Sequence, residues 1–153
     1  KLLETLINSE KLITEIQSDI DENHKALSDL EILNKLLDVE VGFSFFPQDG
    51  IFNQLISTGS FELIENVELK NILLEMYNHQ KQRNYAMSTE IDHFNIRFRN
   101  DLLVKFNQSY YISNDFYGLL SQAKFYGNLY TRLLKDIEKS YLAALSLAKN
   151  EVD

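Results

Sequence analysis

The stretch LISTGSFELIENVELKN, Leu55–Asn71, decides the fold, because it gathers turn-forming residues that are scarce elsewhere in the chain. Gly59 can adopt the left-handed conformation that ends a helix, while Ser60 and Asn66 are residue types that cap helix starts. We therefore predict three helix boundaries within this stretch, which together form a compact corner. The residues of this structural corner are Gly59, Ser60, Leu63, Ile64, Asn66 and Leu69.

Outside the corner, the sequence contains few residues that interrupt helices. Its 153 residues include one Pro and five Gly, too few for the frequent turns of a many-stranded sheet. Hydrophobic residues make up 44% of the chain, which is enough for a sizeable core without metals or disulfides. The composition therefore predicts an all-α fold in a single domain, residues 1–153.

Apolar residues recur every three or four positions along three long segments, the pattern typical of amphipathic helices. These segments are residues 2–38, 67–106 and 116–149. In the second segment, residues 78–84 interrupt the apolar pattern but contain no Gly or Pro, so the helix should continue. We predict an antiparallel bundle of three long helices, with a short helical corner between the first and second long helices.

Four further residues have predicted local roles. Gly42 should end the first long helix in the left-handed conformation, and Asp49 is placed to cap a short helix over residues 50–58. Gly118 and Gly127 lie inside the last helix, where glycine costs stability relative to Ala. Their predicted use is the close approach of a neighbouring helix.

The charge balance excludes some classes of partner and chemistry. The net charge of −8 argues against nucleic acid, because neutralising phosphates requires clustered Lys and Arg. It disfavours an anionic membrane surface for the same reason. The absence of Cys excludes thiol nucleophiles, thiolate metal sites and disulfides.

The corner is also part of a longer pattern that can be compared with known families. The residues of that pattern are Leu55, Ser57, Gly59, Leu63, Ile64, Asn66, Glu68, Leu69, Lys70, Leu73 and Tyr77. It resembles a family of uncharacterised bacterial proteins, a domain of unknown function, in which one N-terminal transmembrane helix precedes a helical domain.

The resemblance implies a location and no activity. A basic leader before a single transmembrane helix would keep the N-terminus in the cytoplasm and place this domain on the periplasmic side of the cell inner membrane. The chain begins KLLETL without Met, so we expect the membrane-spanning helix to lie upstream of it. No catalytic or binding residue is implied by the resemblance.

Two His-containing motifs were tested as metal sites. Glu90 and His93 form an E-x-x-H motif, and Asp21 and His24 form a related one, but di-iron bundles need two such motifs facing each other with further Glu residues. In an antiparallel pair His24 and His93 would lie about 18 Å apart along the axis. We predict no metal, no cofactor and no catalytic residue.

The densest apolar cluster outside the long helices contains Phe43, Phe45, Phe46 and Phe52, around the lone Pro. We interpret the cluster as a plug that closes one end of the core. The alternative is an exposed interaction patch, because aromatic residues supply the anchors of many interfaces.

These observations leave the molecular function open between two binding roles. The first is a membrane-anchored helical scaffold or protein-interaction module, with a protein partner or self-association. The alternative is a small-ligand sensor or binding domain, in which residues 78–84 open a pocket between helices. An enzyme is the weakest hypothesis, because no nucleophile with a base, paired carboxylates or phosphate loop can be assembled.

Overall fold

Every regular element in the described part of the chain is helical, which confirms the predicted all-α class. The computed structural model describes residues 2–22, 29–42 and 45–152. The α-helices are α1 (Leu2–Asp21), α2 (Asp29–Leu37), α3 (Gly50–Ser57), α4 (Val67–Leu74), α5 (Lys81–Lys105), α6 (Gln108–Tyr111) and α7 (Asn114–Val152). A 3₁₀ helix, Ser60–Leu63, follows α3, and a π-helix, Glu75–Gln80, joins α4 to α5. None of the helices in the described ranges is long and apolar enough to cross a membrane.

The chain forms two compact units, each built from two separate segments. Unit 1 comprises Lys1–Ser44 and Ser88–Arg132, and unit 2 comprises Phe45–Met87 and Leu133–Asp153. Helices α5 and α7 therefore contribute residues to both units. The single domain over residues 1–153 stays a prediction.

The predicted continuous helix over residues 2–38 is wrong. Helix α1 ends at Asp21 and α2 begins at Asp29, and the backbone N–H of Glu40 donates to Ser9 Oγ at 2.9 Å. In one straight helix these two residues would lie about 46 Å apart at 1.5 Å per residue. The apolar period is the same in one helix as in two that fold back on each other, so the pattern could not reveal the reversal. His24 lies outside the described residues.

In unit 1, helix α1 runs antiparallel to the first part of α7. Four polar contacts join them at regular steps, so that each move of three or four residues along α1 matches an opposite move along α7. We call these contacts the polar ladder. Its pairs are Asp21–Tyr117 at 3.1 Å, Gln17–Ser121 at 3.0 Å, Thr14–Lys124 at 3.0 Å and Glu10–Asn128 at 3.3 Å.

The segment after α2 is held in unit 1 by a buried amide. Asn95 on α5 donates from Nδ2 to the carbonyl of Gly42 at 2.8 Å, and its Oδ1 accepts from the N–H of Val41 at 3.2 Å. Val39 and Val41 are both 1% exposed. Asn95 therefore satisfies backbone groups that burial would otherwise leave without partners.

Gly42 has a different role from the predicted one. Among the described residues, Gly59 is the glycine with positive φ, so Gly42 is not a left-handed cap. A Cβ at Gly42 would lie 2.6 Å from Ile91 Cγ2 and 2.7 Å from Tyr130 Cδ1. Gly42 is thus required by close packing against buried side chains.

Neither of the two glycines inside α7 allows the close approach of a neighbouring helix that the sequence predicted. A Cβ at Gly118 would meet nothing within 4 Å, and at Gly127 the nearest group, the carbonyl oxygen of Val41, lies 4.0 Å away. The prediction for Gly118 is therefore wrong. At Gly127 the separation from Val41 corresponds to an ordinary van der Waals contact.

The apolar seams predicted for the second and third long segments are confirmed by burial. In α4, the π-helix and α5 the buried seam residues are Leu69, Met76, Ile91, Phe94, Phe98 and Leu102. In α7 they are Phe116, Leu120, Ala123, Tyr130, Leu133, Ile137 and Ala144. The helical period alone was therefore enough to identify these core positions.

In unit 2, the corner has the predicted helix boundaries, but the capping role predicted for Ser60 is wrong. Ser60 begins the 3₁₀ helix after Gly59, and its hydroxyl bonds Thr58 Oγ1 at 2.9 Å. Gly59 has φ of 72°, and Asn66 Oδ1 accepts from the N–H of Leu69 at 3.0 Å, which caps α4. Leu69 is buried and Ile64 packs on its cluster, but Leu63 is 79% exposed. The corner is therefore built by a glycine turn and a cap, with one of its two central apolar residues facing solvent.

Candidate functional site

An open groove in unit 2 lies between α7 and the segment that contains the π-helix. Its volume is about 980 Å³, and we call it the polar groove. Its polar lining includes Glu75, His79, Gln80, Arg83, Asp136 and Lys139. One wall therefore coincides with residues 78–84, the polar interruption identified in the sequence.

The π-helix explains why the apolar pattern is interrupted. A π turn inserts one extra residue into an α-helix, and such turns are frequent at functional sites. After Met76, which is buried, the next buried positions are Asn84 and Ser88, each 1% exposed. Met87, an apolar residue of the same predicted helix, is only half-buried. Polar residues therefore take the buried positions that follow the π-helix.

A chain of two hydrogen bonds links the two sides of the polar groove. Gln80 Nε2 donates to Ser140 Oγ at 2.8 Å, and Ser140 Oγ donates to the carbonyl of Asp136 at 3.1 Å. The Oε1 atom of Gln80 is buried and accepts no hydrogen bond from the described residues. An unsatisfied buried acceptor costs free energy, so this wall lacks one donor.

The ionisable side chains of the polar groove are not paired with each other. Within the described ranges Glu75, His79, Arg83, Asp136 and Lys139 form no side-chain hydrogen bond or ion pair. Glu75 and His79, four positions apart in the chain, therefore make no such contact with each other. The groove presents two carboxylates and two cations to solvent.

Unit 2 also has an aromatic core. Phe52 stacks on Tyr77 with ring centroids 4.4 Å apart, and its ring meets that of Phe61 edge-on at 5.8 Å. Burial, followed by the neighbouring Tyr77, raises the pKa of Tyr141 to about 12. Tyr77 and Tyr141 both pack against the buried cluster of this unit.

A second surface feature of unit 2 is an apolar cleft of about 230 Å³ beside the start of α5. We call its apolar residues, Phe45, Phe46, Pro47 and Tyr85, the aromatic patch. Phe46 is 65% exposed and Tyr85 is 62% exposed, whereas Phe45 is 36% exposed. The predicted cluster is therefore divided, since Phe52 is buried in the core and Phe43 lies outside the described residues.

Two polar contacts hold the loop of the aromatic patch. Asn84 Nδ2 donates to the carbonyl of Phe45, and the ammonium of Lys81 pairs with the carboxylate of Asp49. The hydrogen bond from Lys81 lowers the pKa of Asp49. Asp49 precedes α3 without a side-chain cap, so its predicted capping role is wrong, because its carboxylate binds Lys81 instead.

Glu90 and His93, the E-x-x-H motif, line neither the polar groove nor the aromatic patch. Both residues are exposed on α5. In residues 2–22, 29–42 and 45–152 no group of three or more His, Cys, Asp or Glu residues could hold a metal ion.

Comparisons with protein-family models, with curated proteins and with solved structures give no match. The family resemblance of the corner therefore stays a prediction.

The sequence pattern predicted the side of the polar groove formed by residues 78–84 but not the side formed by α7. Asp136 and Lys139 look like ordinary solvated residues of α7, and no spacing in the sequence connects them to Glu75 or Arg83. Tyr85 was missed in the aromatic patch for the same reason. Asp136 and Lys139 line the same groove as Glu75 and Arg83 only because α7 packs along the π-helix segment.

Proposed function

We propose that this domain is a protein-interaction module whose contact surface is the aromatic patch. The observation that carries the proposal is the exposure of Phe46 and Tyr85 around an apolar cleft. Aromatic side chains are enriched among the residues that dominate binding energy. The net charge of −8 favours a partner of net positive charge, because long-range attraction accelerates association.

The loop of the aromatic patch is prepared for binding. Asn84 bonds the backbone carbonyl of Phe45, and Lys81 pairs with the side chain of Asp49. A surface that is already ordered loses less conformational entropy when a partner docks. This supports a binding role in preference to an accidental exposure of apolar side chains.

A photocrosslinking residue placed at Phe46 tests the proposal in the native cell. We expect one discrete adduct with a basic protein at this position, and no adduct at Leu142, which is 62% exposed in the same unit. Substituting Tyr85→Ser should remove the adduct. An adduct of two copies of this chain would show self-association instead, and no adduct would contradict the proposal.

The proposal places the module on the periplasmic side of the cell inner membrane, anchored by an upstream helix. Its support is the family resemblance of the corner. A C-terminal alkaline phosphatase fusion to the native gene product should be active, because that enzyme matures only outside the cytoplasm. An inactive but expressed fusion would contradict this location.

The fold proposed for the module is an antiparallel helical bundle, with α1 and α2 in place of the first long helix. Its support comes from unit 1, where α1 and α5 both run antiparallel to α7. On α5, the ring of Phe94 lies 5.0 Å from the ring of Tyr126 and Arg97 donates to Gln122 at 3.3 Å, so the contacts move in opposite directions along the two helices.

A second candidate function is a small-ligand binding domain that uses the polar groove. The groove lies at the polar interruption, and its charged residues have no partners among the described residues. The proposal includes no catalysis, because Ser140 Oγ donates to a carbonyl rather than to a base. A thermal-shift screen with small metabolites should raise the melting temperature with at least one of them.

A further inference from the structure

We infer that the polar groove binds a short peptide with free termini, about three residues long. The peptide's ammonium end would pair with Glu75 and its carboxylate end with Arg83. This inference rests on the second candidate function, ligand binding in the groove, and adds the chemical class of the ligand.

The spacing of the two end groups sets the length of the ligand. Glu75 and Arg83 both line the groove and are eight positions apart in the chain. At a rise of about 1.5 Å per residue their Cα atoms are at most about 12 Å apart along the axis. An extended tripeptide spans about 10 to 11 Å, which matches this separation, whereas a single amino acid spans only about 3.5 Å.

The charges of the groove favour a ligand with one charge of each sign. An Arg guanidinium binds a carboxylate through two parallel hydrogen bonds, and a carboxylate accepts hydrogen bonds from an ammonium group. On the α7 side, Asp136 and Lys139 add one negative and one positive charge. The groove thus carries equal numbers of positive and negative side chains. A ligand with only one charged end would leave either Glu75 or Arg83 without a charged partner.

The lining of the groove also offers hydrogen-bond partners for a peptide backbone. His79 and Gln82 line the groove, and both side chains are exposed to solvent. Ligand sites commonly enclose about 300 to 1,000 Å³, and the volume of about 980 Å³ accommodates three small residues. A peptide backbone can both donate hydrogen bonds to such side chains and accept them, whereas a simple diamine only donates and a dicarboxylate only accepts.

Titration calorimetry with three matched probes tests the inference. The probes are triglycine, N-acetyl-triglycine, which lacks the ammonium, and triglycine amide, which lacks the carboxylate. We expect triglycine to bind, and each blocked form to bind about tenfold more weakly, since an ionic hydrogen-bonded contact contributes about 1.5 kcal/mol. Equal affinity for all three probes would overturn the assignment of the ends.

Two variants assign each end of the ligand to its residue. Arg83→Gln should abolish the difference between triglycine and its amide, while Glu75→Gln should abolish the difference between triglycine and its acetylated form. Both side chains are exposed, so the variants should fold. The matched controls, Arg132→Gln and Glu138→Gln, change exposed residues of α7 outside the groove lining and should preserve both differences.

The failure of this inference is distinguishable from the failure of ligand binding itself. If no form of triglycine binds at millimolar concentration, the peptide assignment is wrong. The thermal-shift screen then decides the broader proposal, which survives only if another small molecule stabilises the protein and Arg83→Gln or Glu75→Gln removes that effect.

Discussion

The two units use their polar side chains in different ways. In unit 1, polar residues on neighbouring elements bind each other, as in the polar ladder between α1 and α7 and in the contact of Asn95 with the segment after α2. In unit 2, ionisable residues on the two sides of the polar groove leave each other unpaired, although Gln80 contacts Ser140. The same helix, α7, supplies polar residues to both arrangements.

One helix can thus contribute to stability in one unit and to binding in the other. A polar group that is bonded within the fold fixes the register of its helix and resists replacement. A polar group exposed without a partner adds little stability, and it is available to a ligand. We therefore expect substitutions in unit 1 to lower stability and matched substitutions in the groove to leave it unchanged.

The largest effect is expected for Asn95→Leu in unit 1. The change leaves the N–H of Val41 and the carbonyl of Gly42 buried without partners, and each unsatisfied group costs about 1 to 3 kcal/mol. We expect the free energy of unfolding to fall by about 3 kcal/mol, measured by urea denaturation with circular dichroism. Asn100→Leu, at an exposed position of the same helix, should change it by less than about 0.5 kcal/mol.

A smaller loss is expected for Gly42→Ala. The added methyl group would overlap Ile91 and Tyr130, both 0% exposed, and overpacking of this kind costs about 1 to 3 kcal/mol. The control Gly118→Ala should instead raise the free energy of unfolding by about 1 kcal/mol, because Ala is the better residue inside a helix and the site is open. A stabilising Gly42→Ala would contradict the close packing.

A pH-dependent effect is expected at Glu40, which pairs with Arg99 in unit 1. Burial raises the pKa of Glu40 above its ordinary value of 4.5, against the opposing effect of Arg99, and Asp92 raises it further. Because the folded protein holds this proton more tightly, its contribution to stability is present below the unfolded pKa and is lost as pH rises through the folded pKa.

Glu40→Gln therefore should unfold at a higher urea midpoint than the native protein at pH 7. The two midpoints should converge near pH 4, about where the native carboxyl is protonated as well. A lower midpoint for the variant at pH 7 would show instead that the attraction of Arg99 outweighs the cost of burial.

The smallest effect on stability is expected in the polar groove. Lys139→Gln removes an exposed charge that has no described partner, so the free energy of unfolding should change by less than about 0.5 kcal/mol. The same urea titration measures it. A loss of more than about 1 kcal/mol would show that the groove residues serve the fold, and that unit 2 resembles unit 1 in this respect.

Much of the helical structure was predictable because it depends on local patterns. The seam of α7 repeats every three or four residues over its whole length, and burial of Phe116, Tyr130 and Ile137 follows from that period. Asn66 caps α4 because a short polar side chain before an apolar run can reach the free N–H groups of the first turn.

Other features depended on residues that are distant in the sequence. Residues 2–38 have the period of one long helix, but the contact of Ser9 with Glu40 shows that the chain folds back. The π-helix depends on how the residues around it pack, so a polar interruption marks the place without giving its geometry. Phe52 is buried because its ring stacks on Tyr77, whereas Phe46 stays exposed, and the sequence does not show which of the two rings makes that contact.

Helical period and capping are properties of neighbouring residues, so the helical class, the corner at Gly59 to Asn66 and most of the core positions follow from the sequence. The reversal of the first segment, and the charged residues that line the two sides of the polar groove, are seen only in the tertiary structure. Those outcomes depend on the free energy of packing distant segments, which no local spacing encodes.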